Sequence, residues 1–153
     1  MAKSVLFVCT GNTCRSVMAE RILKKILADR GRVDIRVESA GISALPSYRI
    51  FGSLKEVLDE VGLGVGDHRA RQVTRDMIKR ADLVLVMSKE HKDFIIENIP
   101  DAAGKTFLLK VFAGEKKDLN IPDPIGKGID VYRSVFKEIQ RALEKILPKI
   151  LEE

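Results

Sequence analysis

The stretch from Cys9 to Ser16 contains three kinds of side chain that together can do chemistry on an anion. Cys9 and Cys14 carry thiols, Arg15 carries a guanidinium and Ser16 carries a hydroxyl. A guanidinium fork suits two oxygens of a phosphate, and a thiolate needs no adjacent base to act as a nucleophile. This combination predicts an anion-binding site with a nucleophilic cysteine.

The residues between these side chains suit a tight anion-binding loop. Gly11 permits backbone angles that other residues avoid, and Asn12 tolerates a left-handed conformation while its side chain braces a loop. A loop between a strand end and a helix N-terminus directs backbone N–H groups at one centre. We predict that Cys9 lies at the bottom of this positive cup as a thiolate, with the Ser16 hydroxyl donating to its sulfur.

A strand and a helix are predicted on either side of the loop. The run Val5–Val8 is short and wholly apolar, which predicts a buried strand. Apolar residues at helical spacing predict a helix over Ser16–Arg30, and Gly31 follows where a C-cap belongs. The loop therefore joins the end of the first strand to the start of the first helix.

The rest of the chain alternates between predicted strands and helices. Further strands are predicted at Val33–Glu38, Leu83–Met87 and Thr106–Phe112, and further helices at Ile50–Val61, Thr74–Arg80, Ser88–Asn98 and after Asp130, a candidate cap of the last helix. This alternation predicts a parallel sheet with right-handed crossovers.

The pattern of each strand predicts its place in the sheet. The two wholly apolar strands belong at the centre because helices cover both their faces, whereas the alternating strand Val33–Glu38 belongs at an edge. The resulting fold is an α/β three-layer sandwich whose central four-stranded parallel sheet has the order 2-1-3-4. Its topological switch point lies beside the end of strand 1, where such folds bind ligands.

Composition narrows the class of protein. The length of 153 residues predicts one domain, residues 1–153. The net charge of +5 is spread along the chain, and its densest basic stretch, His68–Arg71, has no aromatic neighbour, so we expect no nucleic-acid partner.

We also expect no membrane span and no signal peptide at Met1–Val8. The two cysteines fit a reducing compartment, and we expect the cytoplasm.

The two histidines raise one alternative chemistry. A zinc site built from Cys9, Cys14, His68 and His91 is conceivable by count alone. The histidines are far apart, however, and lack the paired spacing of zinc motifs. We therefore predict no metal site, and we interpret His91 as a surface residue at the start of a helix.

Taken together, these motifs resemble the low-molecular-weight protein tyrosine phosphatases. The similarity covers the phosphate loop Cys9–Ser16, with its Cys-x5-Arg-Ser pattern, and continues through Met18–Glu20. It recurs at Ser39–Gly41, at Ala81–Leu85 and at Asp123–Pro124 before the last helix. The matching segments therefore extend over nearly the whole chain. The loop context, the late Asp-Pro pair and the chain length together make a chance match improbable.

The resemblance implies a catalytic role for three residues and no cofactor or metal. Cys9 attacks phosphorus to form a phosphocysteine, Arg15 holds the equatorial oxygens, and Asp123 protonates the leaving group and then activates water. From the residues alone, Asp123 is only a carboxylate in a turn between two prolines. The implied phosphate-binding residues are Thr10, Gly11, Asn12, Thr13, Cys14 and Ser16.

The resemblance also bears on two supporting residues, Cys14 and His68. Cys14 is either a small core residue or, as the resemblance implies, the redox partner that traps oxidised Cys9 as a reversible disulfide. The resemblance also implies that His68 braces the phosphate loop.

The chain departs from the common tyrosine-specific pattern in ways that bear on the substrate. Ile125 and Gly126 follow Asp123-Pro124 where many family members carry tyrosines, so stacking on a phosphotyrosine ring should be weak, although Tyr48 partly substitutes. Thr13 and the run Asp123–Tyr132 resemble the protein-arginine phosphatase branch. Threonine leaves room and a polar group beside a planar guanidinium, which favours phosphoarginine as the substrate.

Three other functions are alternatives to a phosphoarginine phosphatase. The alternative within the family is a true protein-tyrosine phosphatase. An arsenate reductase relay needs further cysteines, and none follows Cys14. A non-catalytic phosphate-binding module would not need the acid Asp123. We expect a monomer whose partners are phosphorylated proteins.

Overall fold

The computed structural model describes residues 3–50 and 52–152. Its sheet contains four parallel strands in the order β2-β1-β3-β4, as the sequence predicts. The strands are β1 Ser4–Cys9, β2 Arg36–Gly41, β3 Leu83–Val86 and β4 Thr106–Leu108. Because all four run in the same direction, their C-terminal ends meet at one edge of the sheet.

Helices cover both faces of this sheet. They are α1 Arg15–Asp29, α2 Gly52–Glu60, α3 Arg75–Arg80, α4 Lys89–Asn98, α5 Leu109–Phe112 and α6 Ile129–Leu151, with a 3-10 helix at Pro100–Lys105. Phe7 and Leu85 pack on the side of α1, α2 and α6, whereas Val8 and Val86 pack on the side of α3 and α4. The three-layer α/β sandwich is therefore confirmed.

The bounds of all four strands differ from the predicted ones, by at most one residue at either end for β1 and β3 and by more for β2 and β4. The second begins at Arg36, not Val33, because its pairing with β1 runs from Ser4↔Arg36 to Cys9↔Gly41, and Val33 is 94% exposed. The prediction that the fourth strand reaches Phe112 is wrong. Only Thr106–Leu108 has a partner in β3, and the chain then turns into α5.

The predicted helices differ mainly at their ends. The second spans Gly52–Glu60, inside the predicted Ile50–Val61, and Phe51 lies outside the described residues. Gly128, not Asp130, is the N-cap of α6. Asp130 instead lies in the first turn, where its carboxylate accepts from Arg133 and its charge suits the helix dipole. Over the described residues, no helix is long and apolar enough to cross a membrane.

Candidate active site

The loop that follows β1 lies at the switch point of the sheet, between the ends of β2 and β3. Cys9 is the last residue of β1, and α1 begins at Arg15. Backbone hydrogen bonds hold the start of the loop from both sides. Ile42 N donates to Cys9 O at 2.9 Å, and Met87 N donates to Val8 O at 3.1 Å.

The predicted contact between Ser16 and the Cys9 sulfur is present. Their Oγ and Sγ atoms are 2.9 Å apart and buried. Asn12 Nδ2 donates to Ser16 Oγ at 2.8 Å. Because Ser16 Oγ already accepts this bond, its own hydrogen is available to the sulfur. The Ser16 hydroxyl is therefore oriented to stabilise a thiolate at Cys9.

Asn12 organises the inner side of the loop. Its φ of 56° confirms the predicted left-handed conformation. Asn12 Oδ1 accepts from Arg71 N at 3.0 Å, and its Nδ2 also donates to Ser39 Oγ at 2.9 Å. His68 Nε2 donates to the Asn12 carbonyl at 2.8 Å, so His68 contacts the loop as the family resemblance implies.

The role predicted for Gly11 is wrong. Its φ is not in the positive range, and the left-handed residue of the loop is Asn12. Gly11 instead leaves space at the surface of the loop. A Cβ there would lie 3.5 Å from Thr13 Oγ1 and 3.7 Å from Tyr48 Cδ2.

Gly41 is a residue whose role sequence reasoning missed. A Cβ at Gly41 would lie 2.4 Å from the Thr10 carbonyl oxygen and 2.9 Å from Asn12 N. The end of β2 therefore packs directly against the loop backbone, which only glycine allows. The match of Ser39–Gly41 to the family pattern was the available sign that Gly41 matters, but sequence spacing could not reveal its contact with the loop.

A buried carboxylate supports the same network from behind. Ser39 Oγ donates to Glu20 Oε1, and Lys24 Nζ donates to Glu20 Oε2. Burial raises the pKa of Glu20, but the hydrogen bonds from Lys24 and Ser39 outweigh it and the net pKa is lowered. For His68 the main influence is burial, which lowers its pKa. A neutral His68 still donates to the loop carbonyl through Nε2.

The structure brings Asp123 to the loop from far along the chain. Arg15, which is 5% exposed, donates through Nη1 to the Ile121 carbonyl at 2.9 Å. Its Nη2 lies 3.7 Å from Asp123 Oδ2. Ile125 N donates to Asp123 Oδ1 at 3.1 Å, which orients the carboxylate. A guanidinium and a partly exposed carboxylate thus face each other at the start of the loop, where Arg15 Nη2 also lies 3.4 Å from Thr10 Oγ1.

The prediction that His91 is a surface residue is wrong. It is fully buried, and its Nε2 lies 2.9 Å from Thr10 Oγ1. His68 binds a different loop residue, Asn12, so the two histidines do not converge on one point. Within residues 3–50 and 52–152, no group of three His, Cys, Asp or Glu side chains could hold a metal ion.

Cys14 is buried at the end of the loop. Burial, chiefly, raises the pKa of its thiol; nearby Cys9 and Asp123 raise it further and Arg15 opposes them. Cys14 is therefore a neutral thiol around neutral pH. This environment suits a core residue and is equally compatible with a resting redox partner.

A cavity of about 380 Å³ opens above the loop. Its lining residues are Thr10, Gly11, Thr13, Ser43, Tyr48, Arg49, Asp123 and Ile125. Tyr48 supplies an aromatic ring to this lining, and Ile125 supplies an aliphatic side chain. The cavity can therefore hold a side chain that carries a phosphoryl group down to the loop.

Comparison with known proteins identifies the family. Residues 4–153 match the profile of the family described as low molecular weight phosphotyrosine protein phosphatase. The chain belongs to this family, and it is a phosphatase.

Relatives of both substrate branches are similar to the chain. A protein-arginine-phosphatase of Geobacillus stearothermophilus is 38% identical, and the match covers 98% of this chain and 97% of the relative. A probable tyrosine phosphatase, EpsP of Ralstonia nicotianae, is 37% identical with the same coverage.

A solved structure is similar over nearly the whole fold. It is a cysteine-to-serine mutant of the YwlE arginine phosphatase whose active-site serine is phosphorylated. The TM-score is 0.90 at 32% identity, and the match covers 98% of this chain and 97% of that chain.

Proposed function

We propose that this phosphatase removes the phosphoryl group from phosphoarginine in proteins through a phosphocysteine intermediate. The observation that carries the substrate assignment is the position of Thr13. Its side chain is almost fully buried yet lines the cavity, whose lining also includes Asp123. A short polar side chain at this point leaves room for a planar guanidinium and offers it a hydrogen bond.

In the first chemical step, the Cys9 thiolate attacks phosphorus and the bond from phosphorus to the arginine nitrogen breaks. Asp123 gives its proton to the departing nitrogen, so the arginine side chain leaves as its guanidinium cation. Arg15 and the loop amides hold the three equatorial oxygens as charge is redistributed. The phosphorylated serine in the related YwlE mutant supports a phosphoryl group on the equivalent nucleophile.

In the second step, water attacks the phosphocysteine. Asp123, now a carboxylate, takes a proton from that water, the phosphorus–sulfur bond breaks, and inorganic phosphate and the Cys9 thiolate are released. The Ser16 hydroxyl, 2.9 Å from the sulfur, supports the thiolate as leaving group. No metal or organic cofactor is required because the loop supplies the positive charge.

The test of the chemistry is replacement of the nucleophile. Cys9→Ser should abolish turnover of an aryl phosphate, whereas Cys14→Ser should retain it, because Cys14 is assigned to phosphate binding through its backbone amide, which the substitution keeps. Denaturing mass spectrometry of Asp123→Ala during turnover should detect a phosphoryl group on Cys9. Normal turnover by Cys9→Ser would refute the mechanism.

The test of the substrate is a comparison of two peptides of matched sequence, one with phosphoarginine and one with phosphotyrosine. Wild type should have the higher kcat/KM for phosphoarginine, and Thr13→Ile should reverse the preference. Thr13→Val is the matched control, since it keeps the shape of threonine and removes the hydroxyl. If Thr13→Val reverses the substrate preference as Thr13→Ile does, the hydrogen bond from Thr13 selects the substrate. If Thr13→Val keeps the wild-type preference, the space that the short side chain leaves selects the substrate.

Phosphotyrosine is the second candidate, because Tyr48 lines the cavity next to Gly11. An aromatic ring beside the entrance can pack against a phenyl phosphate. A wild-type preference for phosphotyrosine in the matched assay, reduced by Tyr48→Ala, would establish this function instead.

We also propose that Cys14 protects the nucleophile. Oxidation of Cys9 by peroxide gives a sulfenic acid, and the Cys14 thiol then displaces water to form a disulfide that dithiols reduce. Both thiols are buried at the ends of the same loop, which supports this pairing. Peroxide treatment should inactivate wild type reversibly and Cys14→Ser irreversibly.

The broader assignments are proposals of the same kind. We propose that residues 1–153 form one domain that acts as a monomer in the cytoplasm on phosphorylated proteins, without binding nucleic acid. One chain supplies every group assigned to the site, and a catalytic thiol requires a reducing environment. Sedimentation should give a mass near 17.1 kDa, and DNA binding at low salt would contradict the last point.

A further inference from the structure

His91 is a buried titratable residue that the proposed chemistry does not use. It lies at the start of α4, fully buried, with its ring directed at the phosphate loop. Burying an imidazole requires hydrogen-bond partners for both nitrogens. The identity of those partners determines where its proton lies.

The hydrogen bonds of the ring define its tautomer. Ser88 N donates to Nδ1 of His91 at 3.1 Å, so Nδ1 presents its lone pair. The proton of the neutral ring is therefore on Nε2, which donates to Thr10 Oγ1 at 2.9 Å.

Thr10 receives a second donor from the active site itself. Arg15 Nη2 lies 3.4 Å from Thr10 Oγ1 and points its N–H at that oxygen. A hydroxyl oxygen has two lone pairs and one hydrogen. With both lone pairs facing donors, the hydroxyl hydrogen of Thr10 turns away from His91 and Arg15. Thr10 lines the cavity, so this hydrogen is available to an anion bound there.

We propose that His91 is a positioning residue that directs the Thr10 hydroxyl hydrogen towards the anion bound by the phosphate loop, where it donates to a phosphoryl oxygen. This inference rests on the proposed phosphatase function. It adds one side-chain donor to the backbone amides and the Arg15 guanidinium.

The surroundings of His91 keep this arrangement constant around neutral pH. Burial, chiefly, and the nearby Arg15 guanidinium together lower the pKa of His91 to about 4, while Asp123 opposes them. The exposed carboxylate of Glu90 lies 3.8 Å from Nε2. The ring is thus neutral at neutral pH, and Nδ1 continues to accept from Ser88.

The experiment is a double-mutant cycle between Thr10 and His91. Thr10→Val removes the hydroxyl, and His91→Asn keeps an acceptor near the Nδ1 position while removing the Nε2 donor. Each should lower kcat for p-nitrophenyl phosphate and the affinity for inorganic phosphate by about tenfold, the lower range for a hydrogen bond to a charged group. The double variant should lose no more than either single variant, because both changes remove the same donor.

Conservative variants separate positioning from a merely structural role. His91→Gln places an amide donor near the Nε2 position and should recover most of the loss seen in His91→Asn. Thr10→Ser keeps the hydroxyl and should do the same relative to Thr10→Val. Glu90→Gln is the matched control for the neighbouring charge and should leave kcat unchanged. Additive losses in the double variant would overturn the proposal.

Two further measurements make the result decisive. Long-range proton–nitrogen NMR should show the Nε2–H tautomer of His91, and an Nδ1–H tautomer would overturn the proposal without any variant. Inorganic-phosphate affinity is measured independently of turnover. Retained activity in Cys9→Ser would refute the proposed function, whereas equal phosphate affinity in wild type, Thr10→Val and His91→Asn would refute the role of His91.

Discussion

The two sides of the phosphate loop are built differently. The loop floor, formed by Asn12, Ser16, Ser39 and His68, is buried or half-buried, and every one of its side chains is hydrogen-bonded. The outer wall, formed by Tyr48, Arg49, Asp123 and Ile125, is exposed.

This contrast separates two demands on the site. A substitution in the loop floor leaves buried partners without a hydrogen bond, so it disturbs folding and chemistry together. A substitution in the outer wall is expected to change what the cavity accepts and to leave the fold unchanged, because these side chains are exposed. Thr13 is the exception, because it is buried like the floor and lines the cavity like the wall.

The largest expected effect is on chemistry at the outer wall. Asp123→Asn keeps the acceptor for Ile125 N but removes the proton donor, so kcat for a phosphoarginine peptide should fall by about 10²–10⁴-fold. The Tm should stay unchanged because this side chain is 45% exposed. A large drop in Tm would show that the outer wall, like the loop floor, contributes to the stability of the fold.

The second effect tests the support of the loop floor. Gly41→Ala places a Cβ 2.4 Å from the Thr10 carbonyl oxygen, so the loop backbone must shift. Urea denaturation should show a loss of about 1–3 kcal/mol in the free energy of unfolding, and turnover should fall in the folded fraction. Gly52→Ala is the matched control, since within the described residues no atom from elsewhere in the chain lies within 4 Å of its added Cβ. A normal turnover rate in Gly41→Ala would contradict the close contact.

A smaller effect is expected where the loop meets the cavity. Gly11→Ala adds a methyl group 3.5 Å from Thr13 Oγ1 and 3.7 Å from the Tyr48 ring, without backbone strain. We expect KM for peptide substrates to rise several-fold while Tm stays the same. If Tm falls in Gly11→Ala as is expected for Gly41→Ala, Gly11 supports the fold as the loop floor does.

The effect that is smallest at neutral pH is a difference in the pH dependence of stability. A histidine of the unfolded chain takes up a proton near pH 6.5, whereas buried His91 does so only near pH 4. The unfolded state therefore binds more protons between these values, and the free energy of unfolding falls as the pH is lowered from 6.5 towards 4. The lowered pKa of His68 acts in the same direction.

Replacement of either histidine should reduce this slope. His91→Gln removes a contribution of at most about 1.4 kcal/mol per pH unit. Tyr48→Phe, in the outer wall, should leave the slope as it is in wild type. Denaturant titrations at pH 7, 6 and 5 measure the difference, and an unchanged slope in His91→Gln would contradict the buried, neutral state of His91.

Much of the fold could be predicted because its signals are local. The apolar run of β1, the helical spacing of α1 and the side chains between them lie in one continuous segment, so their order implies their geometry. The edge position of β2 also followed from its alternation. The bounds of β2 and β4 were predicted less well, since pairing with a neighbouring strand determines where each begins or ends.

The sequence by itself determined the family and the strand order, and it predicted the chemistry of the segment from Cys9 to Ser16, because neighbouring residues act together wherever the segment is placed. Only the tertiary structure decided which distant residues complete the site. Asp123, His91 and Gly41 reach the loop through a hydrogen-bonded turn, a buried helix start and a strand end that packs on backbone. These contacts depend on how separate segments pack against one another, and such packing leaves no periodic signal in the chain.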